Sequence, residues 1–158
     1  MNIEILCVGK IKEQYLKDAL SEYAKRLQRY CNLKITEVAD EKTPDKGIAE
    51  EELVKKKEGE RLMRFLREQA YVIVLEIRGA QVDSVAFADA LNDLAVQSVS
   101  DIQFVIGGSL GLAPAVLERA DWKLSFSKMT FPHQLMRVIL LEQIYRACRI
   151  INHEPYHK

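Results

Sequence analysis

Apolar positions along the chain follow three rhythms. The runs "IEILCV" (3–8), "YVIVLEI" (71–77) and "IQFVI" (102–106) are almost unbroken and read as strands buried on both faces, the first stopped by Gly9. "LKITEVA" (33–39) and "WKLSFS" (122–127) alternate, as strands with one wet face do. Between them the period lengthens to that of helices. Residues 12–30 carry Tyr15, Leu16, Ala19, Leu20, Tyr23 and Leu27 on one side. Residues 48–68 form a long charged helix whose "EEELVKKKE" reads as a solvated face of acid–base pairs. Asp83 or Ser84 caps a helix that runs to about residue 97. "GGSLGLAP" opens a short helix with Pro114 in its first turn, and 134–151 is apolar nearly all round. The connections are "DEKTPDKG" (40–47, with Pro44 and Gly47), the turn "RGA", the loop "KMTFPH" and the tail "NHEPYHK".

Strands that alternate with helices predict an α/β fold, a mostly parallel sheet with helices on both faces, in one domain over 1–158. Ligands of such sheets sit at the carboxyl ends of strands. Three strand ends carry unusual loops, "LEIRG", "IGGSLGL" and "SKMTFPH", and are expected to meet.

Composition changes this picture little. The chain has 158 residues, 48% hydrophobic and 29% charged, as an ordinary globular domain does. No apolar run reaches membrane-spanning length and the N-terminus does not read as a signal peptide. Three cysteines without a CxxC pair point to a reduced, cytoplasmic compartment. Charge changes it more. The 23 basic and 23 acidic residues cancel overall, yet from Trp122 onward the bases are Lys123, Lys128, Arg137, Arg146, Arg149 and Lys158 against Glu142 and Glu154 alone. All three histidines, His133, His153 and His157, fall there too. A cationic quarter of this kind suits an anion or RNA.

Two motif matches fail on mechanism. The glycine loop has Leu112 and Ala113 after Gly111 where a P-loop needs lysine, and Gly107 and Gly108 are adjacent where a dinucleotide loop spaces its glycines. What remains is a backbone that a ligand can approach closely. "HEPYH" matches the zinc string H-E-x-x-H, but Pro155 breaks the helix that would put both histidines on one face; no metal is expected. A lone His133 at a helix start reads as a structural hydrogen-bonder. Glu142, Arg146 and Arg149 share one helix face, either as an intrahelical pair or as a strip facing a partner or substrate. The apolar Ile139, Leu140, Ile144 and Ile151 of the same helix predict deep burial or a subunit interface.

"FVIGGSLGL", "LSFSKMTFPHQLMRVILLEQIYRA" and "PYHK", with "VGKIKEQY", "EYAKRL" and "VLEIRG" at matching spacings, closely resemble the ribosomal RNA large-subunit methyltransferase H family of SPOUT (α/β-knot) methyltransferases. The resemblance implies a C-terminal trefoil knot within the cofactor-binding part, about 102–158, and a homodimer. It implies transfer of a methyl group from S-adenosylmethionine to N3 of a pseudouridine in a 23S rRNA stem-loop on the assembled ribosome, leaving S-adenosylhomocysteine. The cofactor would then lie among Leu75, Gly107, Gly108, Phe126, Ser127, Lys128, Met129, Thr130 and Phe131. His157 and Glu142 become the alternative bases for the N3 proton, and Arg146, Arg149, Tyr156 and His157 the RNA contacts. Asn152 to Glu154 are expected to carry no function. A non-catalytic ribosome-binding module and a small-molecule methyltransferase are the competing readings, and the cationic last quarter favours RNA over both.

Overall fold

The computed structural model describes residues 1–42 and 47–158; Pro44 of the expected charged loop lies outside them. The elements run β1 Asn2–Val8, α1 Gln14–Leu27, β2 Asn32–Val38, α2 Ile48–Met63, β3 Tyr71–Gln81, α3 Ser84–Val96, β4 Asp101–Ile106, α4 Pro114–Arg119, β5 Trp122–Ser125 and α5 His133–Ile151. The five strands form one sheet in the order β2-β1-β4-β3-β5, with every pairing parallel. The α/β expectation therefore holds.

Strand alternation divides the core between the two faces. Ile3, Ile5, Cys7, Ile73, Phe104 and Ile106 pack against Leu27, Phe87, Leu91, Leu140, Leu141 and Ile144 from α1, α3 and α5. Leu6, Val8, Val72, Val74 and Val105 pack on the other side against Leu62, Ala113 and Val116 near α2 and α4. Asp83 caps α3 as expected, its side chain accepting from Ala86 N at 2.8 Å.

Three expectations need correction, and one choice between alternatives is made. Tyr15 is 71% exposed, because α1 begins only at Gln14 and its first turn projects beyond the sheet. Glu58, assigned to a solvated face, is buried. Of the two alternatives for α5, Leu140 and Ile144 take deep burial, with no exposed surface, while Ile139 and Ile151 keep partial exposure. The "RGA" turn is absent, since β3 continues through it to Gln81.

Arg137 joins the sheet to α5. Its side chain is 1% exposed; Nη2 donates to Val8 O at 3.1 Å and Gly9 O at 2.6 Å, and Nη1 to Glu37 Oε2 at 2.6 Å. Glu37 Oε2 also accepts from Ile11 N at 3.2 Å. The carboxyl end of β1 and the start of α5 are thereby fixed to each other.

Candidate functional site

At the carboxyl ends of β3, β4 and β5 the three unusual loops do meet, around a cleft of about 1010 Å³. That is at the upper end of the size range of small-molecule sites. Its apolar wall comes from Leu75, Ile106, Leu112, Leu124, Phe126 and Met136, and the glycine loop from Gly107 to Gly111 supplies exposed backbone. Gly111 sits at φ +92°, a region that disfavours any side chain. A Cβ on Gly107 would meet Gly111 O and Leu112 Cδ2, both at 3.0 Å, so it would crowd the loop from within.

Of the residues expected around a cofactor, Leu75, Gly107, Gly108, Phe126, Ser127, Met129, Thr130 and Phe131 line this cleft. Lys128 does not line it, and its side chain is exposed. The sequence reading missed Lys55, Glu76, Arg78, Lys123, His133 and Met136 on the same walls. For His133 and Arg78 the signal was available, since each stands within one of the three strand-end loops. Lys55 came from a helix read as solvated and gave no signal. Burial, then the nearby Arg137 charge, lowers the pKa of His133 against the pull of Asp40, so its imidazole is neutral at neutral pH.

Under the glycine loop lies Glu58. A Cβ on Gly108 would come within 2.9 Å of its Oε1, so only glycine lets the loop rest on this carboxyl group. Oε2 accepts from Glu41 N at 3.0 Å; Oε1 is buried and has no hydrogen-bond partner among the described residues. Burial pushes the pKa of Glu58 up, with Asp40 and Glu41 adding to the rise and the Glu41 N–H and Arg61 opposing it.

A second cluster gathers Glu142, Arg146, Tyr156 and His157. Glu142 Oε1 accepts from Arg146 Nη2 at 2.5 Å and Tyr156 Oη at 3.0 Å, and Oε2 from Gln143 Nε2 at 2.8 Å. The guanidinium carbon of Arg146 lies 4.7 Å from the Tyr156 ring centre, and Tyr145 meets that ring edge-on at 4.9 Å. Burial and the Glu142 hydrogen bond push the Tyr156 hydroxyl up to about 12, so it stays a neutral donor. Arg146 Nη1 lies 3.3 Å from His157 Nδ1. A guanidinium only donates, so Nδ1 is the acceptor side of this contact.

Arg149 is engaged differently. It bonds Glu154, Tyr30 Oη at 3.3 Å and Pro155 O at 3.0 Å. Glu154, expected to be without function, also accepts from Tyr30 Oη at 2.6 Å, and so ties the tail to the end of α1. Beyond Ile151 the chain is not helical and His153 has φ 54°, so His153 and His157 never share the helix face a zinc string requires. Among the described residues no three metal-ligating side chains gather.

The two clusters are separate within one chain. His133 lines the cleft at the start of α5. Glu142 follows nine residues later and Arg149 sixteen, or about 14 Å and about 24 Å along the axis at the usual helical rise.

Comparison with known proteins fits this architecture. The family described as "Predicted SPOUT methyltransferase" matches residues 1–157. A Clostridium acetobutylicum protein named ribosomal RNA large subunit methyltransferase H is 57% identical over 159 residues, spanning 100% of both chains. One of the same name from Bifidobacterium adolescentis is 60% identical over 159 residues, again spanning 100% of both. Lpg2936 of Legionella pneumophila, solved in complex with bound SAM, shares the fold with a TM-score of 0.50 at 11% identity. That match covers 93% of this chain and 66% of the other.

Proposed function

Because the chain belongs to the SPOUT methyltransferases, within the ribosomal RNA large subunit methyltransferase H family, we propose that it methylates N3 of a pseudouridine in a 23S rRNA stem-loop on the assembled ribosome, in the cytoplasm. The observation that carries this reading is the convergence of three strand-end loops on one cleft of cofactor size. S-adenosylmethionine supplies the sulfonium methyl group and leaves as S-adenosylhomocysteine. Its chemistry fits the wall: an adenosine and a methionine chain without phosphate suit apolar side chains and open backbone rather than a lysine loop. Leu75, Gly107, Gly108, Phe126, Ser127, Met129, Thr130 and Phe131 hold it, and Lys128 stands outside this set. The knotted part of the chain, about 102–158, is where these residues concentrate.

The chain's task is then to orient an acceptor nitrogen in line with the methyl group, and positioning supplies much of such a rate gain. Arg146, Tyr156 and His157 suit the RNA side, a cation and an aromatic ring for an extruded base. Arg149 serves them by holding the tail, since its Nη1 and Nη2 are engaged within the chain. Glu142 has both oxygens engaged and acts as the organiser of this group. His157 is the group that takes the N3 proton, at Nδ1, once Arg146 turns to the RNA. The separation along α5 supports a homodimer in which the tail of one protomer completes the cleft of its partner. Mass spectrometry of large-subunit rRNA decides the matter. Methyl-deficient ribosomes incubated with protein and S-adenosylmethionine should gain one methyl group at a pseudouridine; no gain there, or equal methylation of free nucleosides, overturns the reading.

A further inference from the structure

The mouth of the cleft carries a device that holding a cofactor does not explain. In the β3–β5 ladder, Leu75 and Ala80 both stand opposite Leu124, so the four residues Glu76 to Gly79 bulge out of the sheet. Such bulges gather beside functional sites, where they re-aim side chains. This one is pinned from below. Ser125, 3% exposed, places its Oγ 3.0 Å from both Ile77 O and Ser127 O. Gly79 lies so close to β5 that a Cβ there would sit 2.6 Å from Lys123 O and 2.9 Å from Leu124 N. Arg78 N donates to Glu76 Oε1 at 3.3 Å, which turns the one acid of the segment toward its own backbone.

The pinned backbone presents two side chains outward, Ile77, 44% exposed, and Arg78. Lys123 stands beside them on β5, also exposed. Neither Arg78 nor Lys123 has an ion-pair partner among the described residues, whereas Lys55 on the far wall is paired with Glu52 at 3.0 Å. S-adenosylmethionine sets a single carboxylate against an ammonium and a sulfonium, so two unpaired cations at the mouth exceed its needs. We propose that the Glu76–Gly79 bulge, together with Lys123, is a docking surface for the phosphate backbone of the RNA that presents the acceptor base to the cleft.

This assignment rests on the rRNA reading above. A guanidinium grips a phosphate through two parallel hydrogen bonds, and the ammonium of Lys123 adds a point charge. The exposed Ile77 gives an apolar contact for the adjoining ribose or base. Because the bulge is already held by Ser125 and Gly79, docking costs little ordering.

The test uses the full chain with Arg78→Glu, Lys123→Glu and the milder Arg78→Gln and Arg78→Lys. Calorimetry with S-adenosylmethionine and methyl transfer to methyl-deficient ribosomes over a range of salt are the two readouts. Any change in cofactor affinity should be several-fold smaller than the change in KM for ribosomes. KM for ribosomes should rise tenfold or more in the charge reversals and several-fold in Arg78→Gln, with Arg78→Lys recovering most of the loss. The slope of log kcat/KM against log salt should fall by about one for each phosphate no longer neutralised. An unchanged KM and slope overturns the docking surface while wild-type transfer leaves the methyltransferase reading standing. Loss of cofactor affinity instead assigns these cations to the cofactor and also overturns it. If wild type transfers no methyl group to ribosomes, the rRNA reading fails and the docking surface with it.

Discussion

Arg137→Ala should be among the most destabilising single substitutions in this protein. The side chain is buried in full and holds two carbonyls and one carboxylate. Truncation leaves a cavity, which for large side chains costs about 2–5 kcal/mol. It also orphans Val8 O and Gly9 O, at about 1–3 kcal/mol each where water cannot replace the donor. Glu37 is a third exposed, so its loss counts for little once water reaches it. The total is about 4–11 kcal/mol, comparable to the whole stability of a typical domain at about 5–15 kcal/mol. Arg137→Met keeps the volume and removes the donors, so it should cost about 2–6 kcal/mol and expose the cavity share by difference. Urea unfolding followed by circular dichroism measures both. A loss below about 1 kcal/mol for Arg137→Ala, with an unchanged m value, would refute the idea that this guanidinium holds α5 to β1.

Glu58 has a folded-state pKa above its unfolded one, so its contribution to stability is complete in acid and is lost as pH rises through the folded value. Glu58→Gln should therefore gain on wild type toward alkaline pH, and parallel stability curves for the two would contradict this. Burial pushes the thiols of Cys7 and Cys148 up to about 12 and that of Cys31 up to about 11, so native protein should react with Ellman's reagent about a hundredfold or more slowly than free cysteine. Stoichiometric labelling at the free-cysteine rate would show the thiols to be accessible. Deleting Tyr156 to Lys158 should lower methyl transfer to ribosomes by about a hundredfold or more while sparing cofactor affinity, as expected when positioning is lost; full turnover would remove the tail from the mechanism.

The sheet was legible because its strands announce themselves by unbroken apolar runs, and the cleft because three odd loops follow three of them. Side-chain partnership was less legible. "RGA" reads as a turn since glycine breaks strands, yet Gly79 is there to let β3 lie against the Lys123 carbonyl. Glu58 stands in a run of acids and bases, and nothing in that run marks it as the carboxyl group beneath Gly108. The Glu142–Arg146 pair could be read from its spacing of four; that Tyr156 and Gln143 fill the remaining lone pairs of Glu142 could not, because the tail's return path is a tertiary fact. The same holds for α5, where composition counts apolar residues and only packing tells Leu140 from Ile139.

The order of the strands has a consequence for how the protein comes into being. β1 pairs with β4, Asn2 opposite Asp101, and β3 closes against β5. A chain growing from its N-terminus thus makes its first strand about a hundred residues before one of the two strands that flank it. The cleft waits longer still, since its walls include Lys123 to Met136. No shorter nascent chain can hold the cofactor, and the clasp of Tyr30 by Glu154 forms only when the final turn is free to move. Such distant closures are slow, so the contacts that join α1 to the segment after α5 weigh on the folding rate more than on the stability.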